Sequence, residues 1–177
     1  MTDTRDSIPS VVERTRSVAA GAPVVAVHFL GETAVFALGE ETLLVVAPDG
    51  AERRMPVHAG AILATASDGQ RIVTGGDDSK VVSTTASGEA TVLATDAKRR
   101  WIDHVATGPN GAAAWSAGKQ AFVRAGKDAD RALELPSTPG GLAFLPKGLR
   151  LAAAHYNGVT LWFPNAQTEP ERLTWKG

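Results

Sequence analysis

The chain has 177 residues, 44% of them hydrophobic and 21% charged, which allows a sizeable core and is too apolar for a disordered polymer. Eighteen Lys and Arg against nineteen Asp and Glu leave a net charge of −1, which argues against a surface built to hold a nucleic-acid backbone. There is no cysteine, and that excludes disulfides, thiolate-held zinc and cysteine nucleophiles.

The chain opens Met1-Thr2-Asp3-Thr4-Arg5-Asp6-Ser7, with no apolar core of a secretory signal. No apolar run is long enough to span a bilayer. A cytoplasmic protein without membrane contact is therefore expected. Residues 10–18 alternate well enough to predict a rim strand within an N-terminal segment, 1–21.

From residue 22 a repeat takes over. Four apolar stretches run into a glycine at Gly31, Gly69, Gly111 and Gly148, spaced 38, 42 and 37 residues apart. Five positions before each glycine stands an alanine: Ala26, Ala64, Ala106 and Ala143. The turns that follow are Gly-Glu, Asp-Gly, Asn-Gly or Lys-Gly, which suit hairpins. They predict second strands over 33–38, 71–75, 112–117 and 150–155. Third strands fall at 42–47, 80–85, 120–124 and 159–163, and weaker, more polar fourth strands at 51–57, 90–95, 131–135 and 171–175. Four strands per unit of about forty residues is the size of a propeller blade. The predicted fold is all-β, with four antiparallel four-stranded blades over 22–57, 58–98, 99–136 and 137–177. The alanine column suits the crowded inner strand, and Arg53-Arg54 suits a half-solvated outer one.

The motifs resemble those of WD-repeat proteins. Leu142-Ala143-Phe144-Leu145-Pro146-Lys147-Gly148 is similar to that family's first strand and turn, and so is Thr107-Gly108-Pro109-Asn110-Gly111. Thr74-Gly75-Gly76-Asp77-Asp78-Ser79-Lys80-Val81 resembles its second and third strands, and Asn157-Gly158-Val159-Thr160-Leu161-Trp162 the segment ending in Trp-Asp. Here Phe163 replaces the Asp, and Thr84 fills the tryptophan position of the second unit. His58, Thr74 and Asp78 match three members of the family's buried network without its tryptophan. The resemblance implies a divergent, bacterial-type member and a complete ring of about seven blades. Four blades then read as part of a larger propeller or as one of two paired copies. Open terminal blades would present bare sheet faces that favour self-association.

The sharpest candidate site is Lys98-Arg99-Arg100-Trp101, in the loop from the second unit to the third. Arg and Trp are frequent binding hot spots, and a cation beside an aromatic ring can grip a peptide. The alternative is that Trp101 packs between blades while the cations stay solvated. By family analogy Asp77, Asp78, Lys80 and Tyr156 lie in loops on the same face.

Four histidines, His28, His58, His104 and His155, recur about once per unit but at different positions, so no symmetric metal ring is expected. Asp68, Asp77 and Asp78 lack the spacing of a calcium loop. No nucleophile elbow or phosphate loop occurs. The expected function is a non-catalytic scaffold, without cofactor, that meets a protein or peptide partner through loops on one face. A propeller enzyme with His28, His104 or His155 at the channel mouth is the rival reading. Binding of a polyanion through Lys98 to Arg100 is a third.

Overall fold

The computed structural model describes residues 10–176, so the reading of Met1 to Ser7 lies outside the described residues. Among the described residues, sixteen strands form four separate sheets. Blade 1 comprises β1 Val24–Leu30, β2 Thr33–Leu38, β3 Thr42–Val46 and β4 Glu52–Pro56. Blade 2 comprises β5 Ile62–Ser67, β6 Arg71–Gly76, β7 Lys80–Thr85 and β8 Ala90–Thr95. Blade 3 comprises β9 His104–Thr107, β10 Ala113–Ala117, β11 Gln120–Arg124 and β12 Arg131–Glu134. Blade 4 comprises β13 Pro139–Phe144, β14 Leu151–His155, β15 Gly158–Trp162 and β16 Glu171–Thr174. Every sheet is an antiparallel meander in chain order, the architecture of propeller blades.

The turns explain the hairpins. Gly69 sits at φ +82°, a region closed to most side chains. Beside it, Asp68 Oδ1 accepts from the backbone N–H groups of Gln70 and Arg71, each at 3.0 Å. The two middle strands of each blade hold the buried branched residues, and the fourth strands are largely exposed.

Each blade packs one sheet face against the next blade. Ala26, Val35, Ala37, Leu43 and Val45 of blade 1 meet Ile62 and Ile72 of blade 2. Ala64, Val73 and Val81 meet Ile102, Val105 and Trp115. Ala106, Ala114 and Val123 meet Leu142, Leu151, Ala153 and Trp162. The alanine column therefore has a physical reason. Its first three members lie where neighbouring inner strands crowd together, and small side chains permit that approach. Gly75 carries the same logic further, because a Cβ there would stand 2.5 Å from Ile102 Cγ2.

Polar straps reinforce these joints. His28 Nε2 lies 2.8 Å from Thr65 Oγ1, and His104 Nε2 lies 3.0 Å from the Pro139 carbonyl. Arg71 donates to the carbonyls of Gly111 and Ala112. Near the rim, Arg53 donates to Ala86 O at 3.3 Å and Arg131 to Pro164 O at 2.5 Å.

The predicted strand over 10–18 is not formed. Val11–Arg14 makes a 3-10 turn capped by Ser10. All four blades draw their rim strand from within their own repeat, so the alternating segment has no three-stranded sheet to complete. Val18, Ala20 and Ala22 instead pack on Leu38, Leu44 and Val46 of blade 1. Arg54 fixes this segment by donating to the carbonyls of Ala19 and Ala20 at 3.1 and 2.5 Å. Among the described residues, no helix is long and apolar enough to cross a membrane.

Candidate functional site: the loop face of blades 2 to 4

The connectors between blades and the turns between second and third strands gather at one end of the fold. Backbone bonds tie them together: Asp96 N–H to Ser79 O at 2.8 Å, Ile102 N–H to Gly76 O at 3.1 Å, and Leu135 N–H to Lys119 O at 2.8 Å. The Tyr156 N–H donates to Ser137 Oγ at 3.1 Å.

Asp96 organises the 96–101 loop. Its Oδ2 accepts from the backbone N–H groups of Lys98 and Arg100, both at 3.0 Å. The Arg100 guanidinium closes on both carboxylate oxygens, with Nη2 to Oδ1 at 2.6 Å and Nε to Oδ2 at 3.1 Å. The Arg100 hydrogen bond is the main force holding the Asp96 carboxyl below its ordinary range, against partial desolvation. The same bond raises Arg100. Arg100 is thus a latch for the loop, whereas the sequence led us to expect a cation facing a partner.

Trp101, the residue after the latch, is 61% exposed. It does not pack between blades, and Ile102 beside it takes that buried place. Lys98 and Arg99 are exposed on the same loop. Tyr156 is 80% exposed at the turn from β14 to β15.

The acidic turn of blade 2 divides. Asp77 is half-buried. Asp78, expected at a docking surface, turns inward, with Oδ1 2.8 Å from His58 Nδ1 and Oδ2 accepting from Ala59 N–H at 3.0 Å. His58 Nε2 lies 2.8 Å from Thr74 Oγ1. The three residues aligned with the WD-repeat network are therefore joined, and Asp78 is committed to structure. Burial pushes the Asp78 carboxyl upward, but hydrogen bonds from Ala59, His58 and Lys80 outweigh it and leave the group below its ordinary value. Lys80 Nζ reaches 3.8 Å from Asp78 and stays partly exposed.

Beneath the latch a cleft of about 330 Å³ opens between blades 2 and 3, lined by Ala94, Asp96, Lys98, Arg100, Trp115 and Phe122. Trp115 and Phe122 stack with centroids 5.7 Å apart, and Arg124 covers the indole at 6.0 Å. Sequence reasoning did not find this floor. Its only signal is two aromatic residues that become cross-strand partners once β10 and β11 pair.

The four histidines do not converge. His28, His58, His104 and His155 each bond a different local partner. Among the described residues no group of three metal-binding side chains forms.

The sequence matches no protein-family model and no curated protein. The structure does have solved counterparts. Virginiamycin B lyase from Staphylococcus aureus superposes with a TM-score of 0.69 at 11% identity, over 89% of this chain and 57% of the lyase. The structure of U3-55K gives a TM-score of 0.72 at 12% identity, over 89% of this chain and 53% of that one. A streptogramin B lyase gives 0.66 at 13% identity, over 86% and 56%. These likenesses define a β-propeller fold, and the chain spans little more than half the length of the proteins it matches. They also correct the expectation that the chain catalyses nothing. Two of the three are lyases, so this fold gives no ground for excluding catalysis.

Proposed function

We propose that this chain is the docking part of a divergent WD-repeat propeller, receiving a protein or peptide partner on the loop face between blades 2 and 3. The observation that supports this reading is Trp101, a large indole held in solvent on a loop that Asp96 and Arg100 make rigid. An ordered aromatic anchor loses little conformational entropy when it is buried by a partner. Lys98 and Arg99 flank it, which favours a segment carrying an acidic side chain beside an apolar one. The His58–Asp78–Thr74 network supports the WD-repeat assignment. The test is a fluorescence titration against a peptide array that varies charge and aromatic content. Acidic-apolar peptides should bind, and Trp101→Ala should weaken them at least about tenfold. Peptide binding indifferent to Trp101, Lys98 and Arg99 would remove the proposal.

A second reading, lyase chemistry, draws on the similarity to the two lyases. Incubation with virginiamycin B tests it directly. An unchanged antibiotic would sink that reading.

A further inference from the structure

The joint between blades 2 and 3 is built unlike the two joints that flank it. In blades 1 and 3 the rim residue opposite the fourth position of the third strand is an arginine, Arg53 beside Val45 and Arg131 beside Val123. Each reaches a carbonyl of the next blade and draws that rim shut, Arg53 to Ala86 and Arg131 to Pro164. In blade 2 the same position, beside Ser83, is Thr91, a side chain too short for that reach. The rim strand also changes course there. Pairing of β7 with β8 jumps from Val82–Val92 to Val81–Ala94, so Leu93 is an extra residue, a bulge of the kind that bends a strand. The third and fourth strands of the other three blades pair without interruption. Arg124 of blade 3 donates to the Leu93 carbonyl, while its Nε and Nη2 hold Asp130 at 2.6 and 2.9 Å. The cleft of about 330 Å³ therefore lies between a bulged strand on one side and the braced Trp115–Phe122 stack on the other.

We propose that this cleft takes one aromatic side chain of the partner, stacked on Phe122 and flanked by a carboxylate that meets Lys98. The inference rests on the docking reading and names what the docked segment inserts. Three observations support this occupant. Trp115 and Phe122 lie within 8° of parallel, and Trp115 is buried whereas Phe122 is half-buried. On its far side in the same row Phe122 has only Ala132, too small to cover a ring. An added ring extends the stack, and flat rings favour such contact beyond the area they bury. The volume lies at the lower end of the range of about 300–1,000 Å³ for ligand sites, which suits one large side chain. The charges are also complementary. Asp96 is committed to Arg100 and Asp130 to Arg124, whereas Lys98 lines the loop end of the cleft and is exposed. A carboxylate next to the inserted ring meets that ammonium group.

The test is calorimetric titration of the full chain with capped peptides Ser-Asp-X-Asp-Ser, where X is Trp, Phe, Leu or Ala, with circular dichroism as the control for folding. The Trp and Phe peptides should bind more tightly than the Leu peptide by at least about threefold, and than the Ala peptide by at least about tenfold. Phe122→Leu keeps an apolar floor without the flat ring and should bring the Phe and Leu peptides level. Ala94→Leu fills the cleft from the blade 2 side without altering the stack, and should reduce all four peptides to the affinity of the Ala peptide. Lys98→Gln should weaken the four by a common factor of about two to five. A Leu peptide that binds as well as the Phe peptide, an order of affinities that survives Ala94→Leu in a folded chain, or no binding by any of the four would each overturn the proposal. Trp101→Ala separates it from the docking reading. Binding that Trp101→Ala weakens but that ignores X overturns the cleft and keeps the anchor. Affinities ordered by X and untouched by Trp101→Ala keep the cleft and remove Trp101 as the anchor.

Discussion

Asp78 holds His58 at 2.8 Å from a neighbouring turn, and that single contact locks the connector entering blade 2 to the β6–β7 hairpin. The opposite ring nitrogen reaches Thr74 in the buried centre of the sheet, so both ring nitrogens of the imidazole are satisfied and the group acts as a rivet.

Replacing His58 with Ala leaves Asp78 and Thr74 without their partner. A loss of about 2–3 kcal/mol in urea unfolding is expected, with Asp78→Asn costing less because an amide still accepts one bond.

Acid should weaken the fold through the same group. The carboxyls of Asp68, Asp78 and Asp96 all lie below their ordinary value in the folded chain. Their stabilisation is complete above the unfolded value near pH 4 and is lost as pH falls through the lower folded values. Unfolding midpoints measured from pH 6 down to pH 2 should drop below about pH 4, and Asp96→Asn should flatten part of that drop. A midpoint independent of pH would show that these bonds contribute nothing.

The buried hydroxyl of Thr84 has no hydrogen-bond partner among the described residues. Thr84→Val keeps the shape and removes the unpaired oxygen. A gain of about 1 kcal/mol is expected, and chemical denaturation would read it.

The two tryptophans of the third unit should separate cleanly. Trp115 is buried at the joint with blade 2, so Trp115→Ala should cost about 3–5 kcal/mol. Trp101→Ala, at an exposed position, should change stability by less than about 0.5 kcal/mol. Equal losses in the two variants would mean that Trp101 is structural after all.

Gly75→Ala places a methyl group against Ile102. Backbone or side chain must shift at the joint between blades 2 and 3, costing about 1–3 kcal/mol, and Ile102→Val in the same chain should return part of it.

Strands and turns were legible because their causes are local: alternation, branched residues and glycine at positive φ leave marks within ten residues. The His58–Thr74–Asp78 contacts were legible only through resemblance, since nothing in their spacing states a distance. Residues 10–18 were misread because alternation fits a segment for a strand without supplying a sheet to receive it. The Trp115–Phe122 floor stayed hidden because the two rings meet only once β10 and β11 pair, a register that their spacing in the chain does not state. Arg100 looked like a free cation until the path of the loop brought Asp96 onto it. The reading against catalysis was overturned by the likeness of the fold to two lyases, which short motifs in the sequence do not carry.

No backbone ladder crosses from one blade to the next, because the four sheets are separate and meet only through side chains and a few straps. The molecule therefore behaves as a short stack of cards whose cohesion is a sum over neighbouring pairs. Blades 2 and 3 are gripped by blades on both sides, blade 1 by blade 2 and by residues 18–22, and blade 4 by blade 3. Amide exchange should accordingly be fastest in the outermost cards and slowest in the middle, so that the chain comes apart from its ends inward, as a zipper does.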